Sequence, residues 1–242
     1  MTMTQSDVLP EQLDTTKRLC IVIGLTYLVI MLVSGNQALD PMIRHDDYPA
    51  LLADPSGFYI KTLTEGRWLN YWWHLRGLVT PSWLNYALYQ FFWVTFAGAS
   101  AVNACKHNSP LSYVTALSIM IAIASPALLI SLWFNTLIPG LGLVALFAVL
   151  ANYLSHKSTQ YMLLLFVPAT LMAYTAYPFL LLGICLTAST RQRSLRDLSI
   201  LVILFVISFA LGIMLIYGLN YFEHSVFGMK MAEWRNPAPA KT

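Results

Sequence analysis

Hydrophobic runs separated by short polar stretches organise most of this chain. The first run goes from Leu19 to Leu39, and the next from about Leu84 to Ala104. Three more cover Ser112–Leu132, Thr136–Leu154 and Tyr161 to about Tyr174. A short one follows, Pro178–Ser189, and the last is Leu198–Leu219. An α-helix needs about 20 mostly apolar residues to cross a bilayer core, so the pattern predicts an all-α, polytopic transmembrane bundle of about seven spans. The runs are too long and too uniform for the alternating strands of a membrane β-barrel. Pro178 alone leaves the fifth and sixth runs as either one kinked helix or two. The residues Thr175-Ala176-Tyr177-Pro178 resemble a turn, which favours two helices and seven spans over six.

The parts are a polar N-terminal tail (1–18), a transmembrane region (19–219) that includes an outer loop (40–83), and a C-terminal tail (220–242). The tail before Leu19 lacks the basic start and small-residue cleavage site of a signal peptide, so the first run is expected to stay in the protein.

Composition supports a membrane protein: 57% of residues are hydrophobic and 10% charged, against about 25% charged in soluble domains. Nothing in it points to nucleic acid. Lysine and arginine set the orientation, since cytoplasmic loops carry an excess of both. With the N-terminus inside, the inner segments hold Lys17, Arg18, Lys106, Lys157, Arg191, Arg193 and Arg196. The short outer connections carry no charge. The expected location is a bacterial inner membrane, with the 40–83 loop and the C-terminus in the periplasm. The apolar runs bury no acid or base in mid-span, which argues against a proton-driven pump or a voltage sensor. Cys20, Cys105 and Cys185 give neither a disulfide framework nor metal-ligand spacing, and Pro126, Pro139 and Pro168 read as helix kinks.

The long polar interruption is Arg44–Pro81. It holds Asp46, Asp47, Tyr48, Glu65, Arg67, Trp68, Trp72, Trp73, His74 and Arg76. Read as a helix, Arg67–Val79 puts Trp68, Trp72, Leu75 and Val79 within about 60° of one another. Arg67, Asn70 and His74 fall on another face. An interfacial amphipathic helix follows, with its aromatic side in lipid and its basic side towards protein or water. Arginine's planar fork suits a phosphate, and a positioned carboxylate of the Asp46–Asp47 pair suits a general base. The second carboxylate orients an acceptor or binds a divalent metal; no other cofactor is indicated. Plainer readings stand beside these: an anchor helix, and an exposed acidic turn before Tyr48-Pro49.

The order of these motifs, His45-Asp46-Asp47-Tyr48 and then Glu65-Gly66-Arg67-Trp68 after a first span, resembles the GT-C class of membrane glycosyltransferases. More narrowly, it is similar to the bacterial O-antigen glucosyltransferase (serotype-conversion) family. The resemblance implies an inverting transfer of a sugar, glucose by analogy, from a polyprenyl-phosphate donor to a cell-surface glycan such as O-antigen. It implies Asp46 or Asp47 as the base. Arg67 would hold the donor phosphate, and His74, Arg76, Tyr48, Glu65 and Trp68 would line the substrate site. The chain is shorter than such members, so a compact relative, one subunit of a pair and a truncated inactive copy are alternatives. A non-catalytic subunit or flippase component that binds lipid-linked sugar is the main rival, and a purely structural membrane protein is another.

Overall fold

The computed structural model describes residues 5–39, 55–75, 77–124, 134–187 and 194–231. Among them the regular elements are all helices: α1 (Gln5–Ser34), α2 (Asn36–Leu39), α3 (Ser56–Glu65), α4 (Trp68–His74) and α5 (Ser82–Ala104). They continue with α6 (Leu111–Ile123), α7 (Phe134–Ala151), α8 (His156–Leu171), α9 (Tyr177–Thr187) and α10 (Leu195–His224). The described parts of the seven hydrophobic runs are helical: the first run breaks at Gly35 into α1 and α2, the third is described only to Ala124 (α6, with 125–132 outside the described residues), and the others fall on α5 and α7 to α10. The fifth and sixth runs form separate helices, α8 and α9, joined by a turn at 172–176.

Two of these segments, Thr15–Ser34 and Leu195–His224, are long and apolar enough to cross a membrane. The other five do not meet that measure. α6, Thr136–Ala151 of α7, and α9 are apolar but short. α5 is long but carries Asn85, Gln90, Thr95, Ser100 and Asn103, and α8 opens on His156-Lys157-Ser158-Thr159-Gln160.

α7 sits at the centre, packed against α5, α8 and α9. Its Leu137, Leu141, Val144 and Phe147 share one core with Tyr89 and Phe96 of α5, Leu163 and Phe166 of α8, and Leu181 and Ile184 of α9. α1 and α6 pack on each other and on α5 at one side; α10 packs chiefly on α8 at the other. Close approach is built in at Gly140, where a Cβ would stand 2.5 Å from the Ala173 Cβ and 2.5 Å from the Tyr177 ring.

One end of the bundle gathers Lys17, Arg18, Lys106, Lys157 and Arg196, while Lys61, Arg67 and Lys230 lie at the other. Arg18 donates to the carbonyls of His107 and Ser109, which ties the start of α1 to the α5–α6 loop. Thr16 Oγ1 lies 3.0 Å from the Tyr153 hydroxyl, just past α7. Asn103 Nδ2 donates to the Ile184 carbonyl at 3.2 Å and Asn152 Nδ2 to the Ala99 carbonyl at 3.0 Å. Lys17, Lys106, Lys157 and Arg196 lie at the ends of elements on this same side, and all four are exposed. Burial pushes the Cys105 thiol above its ordinary range there, and the Arg18 charge partly opposes the shift.

The opposite end is covered by α3 and α4, which pack on each other, with α3 also against α10 and α4 against α7. α10 runs five residues past the expected boundary at Leu219, to His224, where Ser225 takes a left-handed conformation (φ 56°). The chain then turns back: Asn220 Nδ2 donates to the Gly228 carbonyl, and the Lys230 amide to the Leu63 carbonyl of α3.

Candidate functional site

The polar residues predicted to form a site are built around the α3–α4 corner. α3 ends at Gly66, whose φ of +71° suits glycine. The Gly66 amide donates to the Thr62 carbonyl, the 5→1 bond of an αL cap, and the Arg67 amide to the Lys61 carbonyl. A Cβ at Gly66 would also meet Ile216 Cγ2 at 2.9 Å. The chain therefore turns here against α10, and Arg67 starts α4.

α4 is held on two sides. The Leu69 amide donates to the Met172 carbonyl at 3.0 Å, and Asn70 Nδ2 to the Ala173 carbonyl at 3.2 Å. Both acceptors lie in the α8–α9 turn. On the other side the Trp68 indole N–H donates to Asn220 Oδ1 of α10 at 2.9 Å, with Trp68 packed on Leu171 and Ile216.

The helix is shorter than the predicted Arg67–Val79, ending at His74. Gly77 takes a positive φ of 62°, and Pro81 disfavours helix at the residue before it. Thr80 instead helps start α5, its hydroxyl donating to Asn85 Oδ1 at 2.6 Å.

The expected aromatic face is also corrected. Trp72, Leu75 and Val79 are exposed, as a lipid-facing side requires, but Trp68 is buried. Helical spacing groups residues by angle and says nothing of what covers them; here α10 lies over the first turn of α4. The polar side does face protein: Asn70 and His74 are buried.

Glu65 and Arg67 come together across the Gly66 corner. Arg67 Nη2 lies 2.6 Å from Glu65 Oε2, with the two side chains only 15% and 17% exposed. The guanidinium stands 5.4 Å from the centre of the Tyr174 ring, a cation–π geometry. Tyr174 in turn lies 5.5 Å from the Tyr177 ring, and the Tyr177 hydroxyl donates to the Leu137 carbonyl at 3.0 Å. Arg67 is thus fixed in direction by a carboxylate and an aromatic face. The pair is close to neutral as it stands.

His74 has a different setting. Its ring stacks on Phe58 at 3.9 Å and 10°, inside the α3–α4 hairpin, where it joins the two helices. Asp46, Asp47, Tyr48 and Arg76 lie outside the described residues. Among the described residues no group of three His, Cys, Asp or Glu side chains could hold a metal ion.

Three participants at this end were not predicted. The sequence pattern shows Tyr174 only as part of a turn; its place beside Arg67 comes from the docking of α4 on the α8–α9 connection. Asn220 marked only the end of a hydrophobic run. His224 reaches α3: its Nε2 is 2.8 Å from Thr62 Oγ1. Thr62 gives its single hydroxyl proton to the Tyr59 carbonyl at 2.6 Å, so His224 Nε2 is the donor in that pair.

No protein-family model matches this sequence, and comparison with curated proteins and with solved structures finds no match.

Proposed function

We propose that the chain is a seven-span membrane protein of GT-C-like architecture that moves a sugar from a polyprenyl-phosphate donor to a glycan acceptor at the α3–α4 end of the bundle. In this reading that end faces the periplasm of a bacterial inner membrane, and the basic end the cytoplasm. The observation that carries it is the largely buried Arg67 guanidinium, aimed by Glu65 and Tyr174 and set at the end opposite the basic loops. A lipid-linked donor keeps its chain in the bilayer and its phosphate at the surface. A phosphate site therefore belongs at a helix-bundle end beside an apolar, lipid-facing surface, and Trp72, Leu75, Leu78, Val79 and Trp83 supply one.

In the transfer, Asp46 or Asp47 takes the proton of the acceptor hydroxyl. The oxygen attacks the anomeric carbon from the face opposite the phosphate. The bond from that carbon to the phosphate oxygen breaks, the configuration inverts, and polyprenyl phosphate leaves. Arg67 stabilises the charge that grows on the leaving phosphate.

A second reading is favoured by the Glu65–Arg67 pair. A carboxylate on the guanidinium weakens its pull on a phosphate, which suits a subunit that holds a lipid-linked sugar reversibly without cleaving it. Sugar transfer from a polyprenyl-phosphate-glucose donor in nanodiscs separates the two. The enzyme reading expects turnover by the wild type, and a fall of about 10² to 10⁴ in rate for Asp46→Asn or Asp47→Asn. Wild type that binds the donor without transferring sugar supports the second reading.

A further inference from the structure

The segment after α10 is pinned by its backbone while its largest side chains face outward. The Ser225 amide donates to the Tyr221 carbonyl at 3.0 Å, and the Lys230 amide to the Leu63 carbonyl of α3 at 3.1 Å. Between them the Gly228 carbonyl accepts from Asn220 Nδ2 at 2.6 Å. Gly228 has a φ of 122°, which suits glycine and bends the chain towards α3. Phe227, Met229 and Met231 nevertheless remain 64%, 48% and 69% exposed. The segment is thus fixed in place without burying the apolar side chains it carries. A fixed, exposed apolar patch marks a surface with a partner.

Two features of α10 indicate which partner. Its exposed apolar side runs on into this segment. Ile207, Met214 and Tyr221 recur every seven residues, as do Leu215 and Phe222, so they line one side of the helix. All five are exposed. The length of α10 then sets a level. No acid or base lies between Asp197 and Glu223. Tyr217 stands 20 residues after Asp197, about 30 Å along a helix, which matches the hydrocarbon core of a bilayer. The Phe227 ring packs edge-on against Tyr217, with 5.5 Å between centres. The segment therefore returns to the level where the hydrocarbon core ends and aromatic side chains collect. Lys230, exposed between Met229 and Met231, brings a long side chain whose charge can reach the headgroups while its stem stays on apolar surface.

We propose that residues 226–231 are an interfacial anchor whose partner is the lipid leaflet at the α3–α4 end, with Phe227, Met229 and Met231 at the boundary of headgroups and acyl chains. This rests on α10 crossing the membrane. The anchor also bears on the site. The Lys230 amide holds α3, and Asn220 binds both Gly228 and Trp68 of α4. Lipid contact at the anchor thereby sets the height of the α3–α4 corner, and of Arg67, above the bilayer.

The test is the depth of a nitroxide label on the full chain in nanodiscs of phosphatidylcholine and phosphatidylglycerol, in a background lacking Cys20, Cys105 and Cys185. Labels at Met229→Cys and Met231→Cys are compared with Val206→Cys, on the exposed side of α10, and Lys106→Cys, in the exposed α5–α6 loop. Power-saturation EPR reads collisions with oxygen, which concentrates in lipid, and with a water-soluble nickel chelate. Chelate collisions at Met229 and Met231 are expected to be several-fold rarer than at Lys106, with oxygen collisions between those at Lys106 and Val206. Chelate collisions as frequent as at Lys106 overturn the proposal. Poor access of both probes overturns it too, since protein, a second copy included, then covers the segment. Val206 separates the two failures. If its label is oxygen-rich and chelate-poor while Met229 and Met231 lie in water, only the anchor fails. If Val206 is itself open to the chelate, α10 does not cross the membrane and both fail. Should one methionine variant misfold, the other decides.

Discussion

Replacing Trp68 by Phe separates the anchoring of α4 from its chemistry. Trp68 is 1% exposed, and its indole N–H is the donor to Asn220 Oδ1, itself on a fully buried residue. Phe keeps an aromatic ring against Leu171 and Ile216 but brings no donor. Asn220 still donates to the Gly228 carbonyl, so the loss falls on its oxygen. A buried acceptor left without its donor costs about 1–3 kcal/mol. For a chain of this size about 2 kcal/mol lowers Tm by roughly 4–8 °C. The assay is thermal unfolding in nanodiscs, followed by size-exclusion monodispersity. The same substitution is repeated in an Asn220→Leu background, where no acceptor waits for the indole. There the effect of Trp68→Phe is expected to shrink by at least half, the residual being the smaller ring. Because α4 begins at Arg67, donor affinity is expected to fall along with Tm in the single variant. An unchanged Tm for Trp68→Phe, or an equal loss in both backgrounds, would refute the claim that this hydrogen bond fixes α4 on α10.

Three further outcomes are expected. Gly140→Ala forces a Cβ to 2.5 Å from Ala173 and Tyr177, so it is expected to destabilise by about 1–3 kcal/mol. Gly142→Ala, where the nearest atom is an ordinary 3.6 Å away, is expected to be neutral or mildly stabilising in the same melting experiment. Glu65→Gln removes the negative charge beside Arg67, and donor binding by titration is expected to tighten on the order of tenfold; unchanged affinity would mean that the pair does not face the donor. In a background lacking Cys20, Cys105 and Cys185, Ser56→Cys is expected to react with an impermeant thiol reagent in spheroplasts, whereas Lys106→Cys reacts only after lysis; the reverse result inverts the orientation.

Much of the bundle is legible because long runs of apolar residues mark helices, whether they face the core or the surface of the bundle. The described parts of the runs are helical, in α1, α2 and α5 to α10, and the turn between α8 and α9 is signalled by Thr175-Ala176-Tyr177-Pro178. The polar end was less legible. A helical wheel grouped Trp68 with Trp72, yet only Trp72 is exposed, because the covering helix α10 is more than 120 residues away in the sequence. Gly66 shows the same limit. Its glycine was readable as part of a motif, but its tasks, a left-handed cap and clearance for Ile216, appear only once α10 is in place. The pairing of Glu65 with Arg67 follows from that corner, since the cap turns two residues that would point apart on a continuing helix towards each other. Tyr174 joined them for a reason that local pattern does not carry: α4 bonds to the backbone of the α8–α9 turn.

The central claim is that Arg67 receives the phosphate of a polyprenyl-linked sugar. Its most direct measurement is the equilibrium binding of a polyprenyl-phosphate-glucose analogue to the wild type, Arg67→Lys and Asp46→Asn in nanodiscs. Lysine keeps the charge but loses the planar fork. The account predicts that Arg67→Lys weakens binding at least tenfold, about 1.4 kcal/mol, while Asp46→Asn binds as wild type does. Equal affinity of Arg67→Lys and wild type would contradict it.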